Sequence, residues 1–189
     1  MKSKYILIIG SITFLLLLLF SIYFYQERTV FLDFSLYIYH IAKVGTLPTQ
    51  HNRFTGVITQ VLPLMAAKMD FSLKTISVLY SMSFILCYAA TFFLIQTILK
   101  NSKIAVSYLL FNILMATYTF YSAQSEIPQG ACFLFIFAAL ADNTLQKKSN
   151  SYLFLFYKFV LFFRYLFRSP LANITCRFYL RLFCLRISY

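Results

Sequence analysis

Acidic residues are scarce in this chain: five Asp and Glu stand against 17 Lys and Arg in 189 residues. Glycine, proline and cysteine number four each. So little glycine and proline excludes collagen and low-complexity disorder. Four scattered cysteines exclude a disulfide-dense scaffold, and no Cys-x-x-Cys or Cys/His spacing points to a metal. Without a glycine-rich phosphate loop or an aromatic–basic groove, nucleic acid is not an expected partner. No cofactor is indicated either. Charged residues make up 12% of the chain and hydrophobic ones 61%, against about 25% and 45–50% in a soluble domain. A chain this apolar has too little polar surface to cover a water-soluble globule, so the composition predicts an integral membrane protein.

Tyr5–Tyr25 holds 21 residues without a charge, after Lys2 and Lys4. As a helix it is about 31 Å long, enough for the roughly 30 Å hydrocarbon core. A signal peptide shares the basic start and apolar centre. This run is longer, and it ends in Tyr23-Phe24-Tyr25 rather than a small-residue cleavage site, so it reads as an uncleaved anchor. Thr75–Leu99 (25 residues) and Ile104–Ser125 (22 residues) are two more uncharged runs, and Lys100–Lys103 between them predicts a tight antiparallel hairpin. Ile127–Ala141, 15 residues, is about 22 Å as a helix and must borrow from its ends or thin the bilayer. Gln96 and Asn112, inside spans, are expected to bond between helices. Tyr152–Phe167 is apolar apart from Lys158 and Arg164. The expected fold is all-α: a polytopic transmembrane bundle of about four or five spans over residues 1–149, with interfacial amphipathic helices in its first outer loop and a basic, Phe-rich segment at 150–189.

The Lys/Arg bias sets the orientation. With the N-terminus in the cytoplasm of a multi-pass cell-membrane protein, Lys2, Lys4, Lys100, Lys103, Lys147 and Lys148 all fall in short cytoplasmic segments. The outer segment Gln26–Lys74 spreads five basic residues over 49 positions. Residues 150–189 carry six basic residues and no acid. The pairs Arg164/Arg168 and Arg177/Arg181 would each share a helical face, as in an interfacial helix pair. The other reading, which the odd charge balance favours, is the end of a truncated chain. Membrane lipids, and other membrane subunits, are the expected partners.

Most of the polar chemistry falls in the outer loop: Glu27, Asp33, Asp70 and both histidines, with Glu126 at the outer boundary. Val30–Val44 reads as an amphipathic helix. At about 100° per residue, Tyr37 falls about 40° from Asp33, His40 about −20° and Lys43 about −80°. This stripe is either a catalytic or substrate-binding edge or the solvated face of an interfacial helix. Gly45 ends the helix, and Pro48 keeps the following chain extended. His51 and Arg53 precede Phe54–Ala67, 14 uncharged residues broken by Pro63, which predict a second interfacial or re-entrant helix. The planar Arg53 fork matches phosphate oxygens; it would equally serve as a headgroup anchor. Asp70 and Ser72 are placed to cap the next span, and Ser125 and Glu126 to cap the one that follows, where Pro128 stands early in the helix. Glu126 is also a candidate for lining a site at the outer mouth.

The string Glu27-Arg28-Thr-Val-Phe-Leu-Asp33, with His51-Asn-Arg53-Phe54, Thr59-Gln60 and Glu126-x-x-Gln129-Gly130, resembles the N-terminal part of GT-C-type membrane glycosyltransferases and related uncharacterised bacterial multi-span proteins. The resemblance covers about residues 1–149. It implies sugar transfer on the extracytoplasmic face from a polyprenyl-phosphate sugar, with Asp33 as general base and Lys43, His51 and Arg53 on the lipid phosphate. Tyr37, His40 and Glu126 join them as substrate-binding residues. The family's members are far longer, which implies a truncated enzyme, inactive by itself. The competing expectation is a non-enzymatic membrane protein or a fragment of a transporter.

Overall fold

A computed structural model describes residues 3–29, 32–47, 56–115, 120 and 126–147. Among these the chain is all helix, without a strand. In order they are α1 (Ser3–Tyr23), α2 (Tyr25–Thr29), α3 (Leu32–Val44), α4 (Val57–Lys68), α5 (Leu73–Phe93) extended by a π-helical turn (Leu94–Ile98), α6 (Ser102–Leu114) and α7 (Glu126–Lys147). Two are long and apolar enough to cross a membrane: α1, and α5 with its π turn. The second half of the Ile104–Ser125 run, apart from Phe120, lies outside the described residues, as does all of 150–189.

α1 and α5 run antiparallel. Ser81 Oγ donates to Ser21 O at 2.8 Å near one end of the pair. Phe14 and Phe92 pack with centroids 5.6 Å apart in the middle, and Gln96 Nε2 donates to Ser3 Oγ at 2.7 Å near the other end. Gly10 faces the Phe92 ring, and a Cβ there would run into it, so the close approach of the two helices needs glycine. On its other side α1 exposes Ile8, Ile12, Leu15 and Leu19. An apolar face of that size is a liability in water and an ordinary outer surface in lipid.

α5 is the axis of the bundle: α1, α2, α3, α4, α6 and α7 all pack against it. α4 keeps Pro63 inside a 12-residue helix and buries Thr59, Gln60, Pro63 and Ala66. α3 buries Ile38 and Ile41 and packs on both α4 and α5. The two short helices are therefore part of the bundle's packing and not a detached layer. Gly45, at φ +67°, ends α3 with its N–H on Ile41 O at 3.1 Å. Ser72 caps α5 by accepting from Thr75 N at 3.3 Å. Asp70 is not a cap as expected. It is exposed at φ +56° and closes the α4–α5 turn, its N–H on Ala67 O at 3.2 Å. An aspartate tolerates this left-handed position better than most residues do, which explains its use there.

α7 settles how a 15-residue apolar run makes a long helix: it borrows its C-terminal end. It continues through Asp142, Asn143 and Thr144 to Lys147, 22 residues in all, or about 33 Å. The polar end is held by the α5–α6 turn. Asn101 Nδ2 donates to Asp142 Oδ2 at 2.7 Å, and Asn143 Nδ2 donates to Leu99 O at 2.7 Å. Asn101 also caps α6, its Oδ1 accepting from Ile104 N at 3.2 Å. This clasp holds Lys100 at φ +53°, an uncommon conformation for a lysine. Gln96 bonds between helices as expected, and Asn112 Nδ2 donates to Tyr108 O at 2.9 Å. Replacing Asn101 by Ala removes the α6 cap and the bond to Asp142, at an expected cost of about 1–3 kcal/mol. The check is the thermal midpoint in detergent, and an unchanged midpoint would show that α7 does not hold the turn.

Candidate functional site

The chain does not leave the bundle where α1 stops. Phe24 N–H bonds Phe20 O at 2.8 Å and Arg28 N–H bonds Phe24 O at 3.1 Å, so α2 carries on almost in line. The buried stripe of α1 is Gly10, Phe14 and Ser21. One heptad beyond Ser21 stands Arg28, and the same helical phase turns it inward. Arg28 is 1% exposed. Its Nη2 donates to Ser81 O at 3.1 Å, and its guanidinium stands 4.2 Å from the Phe120 ring centroid. Tyr88 lies close enough to interact with it electrostatically. Burying a cation is costly unless hydrogen bonds and aromatic faces replace its water, and this pocket supplies both. The sequence reading counted Arg28 among the loose basic residues of a polar loop. The signal it passed over was the seven-residue step from Ser21.

On α3 the predicted polar stripe divides. Tyr37 is half-buried against the core and interacts with Tyr80 of α5. His40, one turn on, is half-buried, and its Nδ1 is enclosed without a hydrogen-bond partner. Lys43 is not brought to them. It is exposed, its Nζ donates to Tyr39 Oη at 2.7 Å, and it stands 5.2 Å from that ring's centroid. The reason is phase: Lys43 follows the exposed side of α3 with Tyr39, while Tyr37 and His40 border the buried Ile38 and Ile41. Asp33 stands in the first turn of α3 and Glu126 is the first residue of α7. The side chains of both, and all of His51 and Arg53, lie outside the described residues.

A buried polar chain connects these helices. Tyr37 and Gln60 both lie near enough to Tyr80 to interact with it. Next to Gln60 on α4, Thr59 Oγ1 donates to Gly56 O at 3.0 Å and accepts from Gln129 Nε2 of α7 at 3.1 Å. Gln60 and Gln129 are each 3% exposed, and the Oε1 atom of each has no hydrogen-bond partner. The sequence assigns neither glutamine a role. They are 69 positions apart, and only the packing of α4 and α7 relates them.

Deeper in the bundle Cys87 on α5 and Cys132 on α7 are free thiols near enough to interact with each other. Cys132 Sγ also lies 3.2 Å from Tyr108 Oη and 3.3 Å from Pro128 O. Among the described residues no three His, Cys, Asp or Glu come together as a metal-ligand set. The chain matches no protein-family model, no curated protein and no solved structure. What the geometry defines is a helical bundle, two of its helices fit to cross a membrane, with a buried arginine and a polar chain at one end.

The thiol pair gives a direct check on this packing. With Cys176 and Cys184 replaced by Ser, copper-phenanthroline oxidation in membranes is expected to remove both remaining thiols from maleimide titration. Cys87→Ser should leave Cys132 titratable after the same treatment. Two thiols still titratable in the Cys87/Cys132 protein would place α5 and α7 apart.

Proposed function

We propose that the chain is a multi-pass membrane protein of about four or five spans. Its N-terminus is cytoplasmic, residues 26–74 lie on the opposite face, and it belongs to the chemistry of glycosyl transfer from a polyprenyl-phosphate sugar. The observation that carries this reading is the company of Arg28. A buried guanidinium is held at the same end of the bundle as α3, α4 and the polar chain from Tyr37 to Gln129. Phosphate recognition favours arginine for its planar, permanently charged fork, and a partly desolvated site strengthens it. An amphiphilic donor needs both that polar end and the apolar outer face of α1 beside it.

In this reading the acceptor hydroxyl attacks the anomeric carbon of the donor sugar, and Asp33 takes the hydroxyl proton as general base. The bond from that carbon to the phosphate oxygen breaks, and polyprenyl phosphate leaves with the electron pair. Arg28, with His51 and Arg53, stabilises the charge gathering on the leaving phosphate. Lys43, exposed on α3, serves the headgroup level and not the reacting bond. The acid, the phosphate-binding groups and the sugar groups thus come from one loop and the helices it packs on.

Two measurements test it. Asp33→Asn, in membranes holding the native full-length protein, is expected to lower transfer from a polyprenyl-phosphate sugar by about 100-fold or more, with thermal stability unchanged. Transfer at the wild-type rate would remove Asp33 from the reaction. His51→Cys should react with an impermeant maleimide in intact cells; labelling only after lysis would reverse the orientation and end the extracytoplasmic reading.

A further inference from the structure

The polar chain between α4 and α7 has more hydrogen-bonding capacity than it uses. Gln60 and Gln129 are both buried, yet each leaves one end of its amide unpaired. Pro63 alters the backbone here as well. Pro63 has no N–H, so the Thr59 carbonyl one turn before it lacks its helical donor. Pro63 is itself fully buried, so this gap is inside the bundle. Gln129 bonds Thr59 at 3.1 Å, and Gln60 is the next residue on α4. His40 Nδ1, on the neighbouring helix, is enclosed and unpaired as well. A buried polar atom without a partner is costly, so such a concentration is kept only where something completes it.

The chemistry of the unmet groups narrows the ligand. They are amide oxygens and an imidazole nitrogen, with no carboxylate or ammonium among them. An anion would be drawn to Arg28 instead. Turning either amide about its last bond exchanges an open acceptor for an open donor. A hydroxyl fits both cases because it donates and accepts. Several hydroxyls on a rigid frame would meet several of these groups at once.

We infer that Gln60, Gln129 and Thr59 form a subsite for the hydroxyl groups of a neutral sugar ring. This deepens the glycosyl-transfer reading and rests on it for taking the polyol as a sugar. The open groups themselves are independent of that reading. The phosphate of a lipid-linked donor would then face Arg28 and its ring the α4–α7 glutamines.

The test uses the full-length protein in lipid nanodiscs, with octyl β-glucoside as the sugar probe and octyl-dimethylamine oxide as its sugar-free control. The glucoside is expected to raise the thermal midpoint and the control not to. Replacing both Gln60 and Gln129 by Leu should weaken glucoside binding by about 10-fold or more. Without probe this variant should melt at or above the wild-type midpoint, because it removes buried unpaired groups. Should it fail to fold, Gln60→Met leaves the Gln129–Thr59 bond intact and carries the same comparison. Equal shifts from both amphiphiles, or unchanged glucoside binding in the variants, would overturn the subsite and leave water as the occupant. Glucoside binding that the variants lose, in a protein without transfer activity, supports the subsite and removes the enzyme. Full transfer by the variants, with glucoside binding kept, removes the subsite and leaves the enzyme.

Discussion

α5 is enclosed by its neighbours, and that enclosure governs the rest of the molecule. Six helices pack on it, and along its length Tyr80, Ser81, Ser83, Tyr88, Thr91 and Gln96 are all buried. A polar side chain shut away from solvent has to find its partner inside the protein. Some do so on their own helix: Ser83 Oγ donates to Tyr80 O at 2.6 Å and Thr91 Oγ1 to Cys87 O at 3.0 Å. Ser81 and Gln96 reach across to α1, and those long-range bonds fix which helix lies where, while the Tyr88 hydroxyl stays buried without a hydrogen bond. Ser81 shows the consequence most clearly. Its hydroxyl holds α1 through Ser21 O, while its carbonyl holds α2 through Arg28. One residue thus fixes the line of the α1–α2 continuation and carries a buried charge with it.

The two ends of the bundle meet this requirement differently. At the Leu99–Ser102 turn the polar groups form a clasp in which Asn101, Asp142 and Asn143 answer one another, and Gln96 Nε2 lies against both Ser3 and Ser102. Only the Gln96 carbonyl is left open among the groups named there. At the α3 end, His40, Gln60 and Gln129 each keep an open atom. A satisfied cluster fastens helices together. An incomplete one at the opposite end has the composition of a place where something else is held.

Much of the architecture was legible because it depends on local chemistry. The long uncharged runs gave α1 and α5 through their length alone, Gly45 marked the end of α3, and Ser72 marked the start of α5. Where the reading fell short, the deciding contact was distant in the chain. Asp70 has the residue type of a cap, but the sharp return of α4 onto α5 gives it a left-handed turn to close. That α7 would borrow from its ends was one of the two expected outcomes, but what allows it, Leu99 and Asn101 more than 40 positions earlier satisfying its polar end, was not visible in the sequence. The polar stripe of α3 was correct as a helical projection. It could not reveal that α5 would take up Tyr37 and leave Lys43 outside. Arg28 stood in phase with the buried side of α1, yet charge outweighed periodicity in reading it.

The placing of the open groups follows from the same enclosure. α4 is 12 residues long and interrupted by proline, a poor helix in isolation. It persists because Ala66 and Pro63 are buried along α5 and because α3 covers it with Ile38 and Ile41. Packing on that scale lets the short helix carry groups that a free helix would have to pair or expose. The open amide at Gln60 is therefore a stable feature of the bundle, held in place by apolar contacts on either side. A site built this way is rigid before any ligand arrives, since its polar groups are fixed by neighbours that do not themselves depend on the ligand.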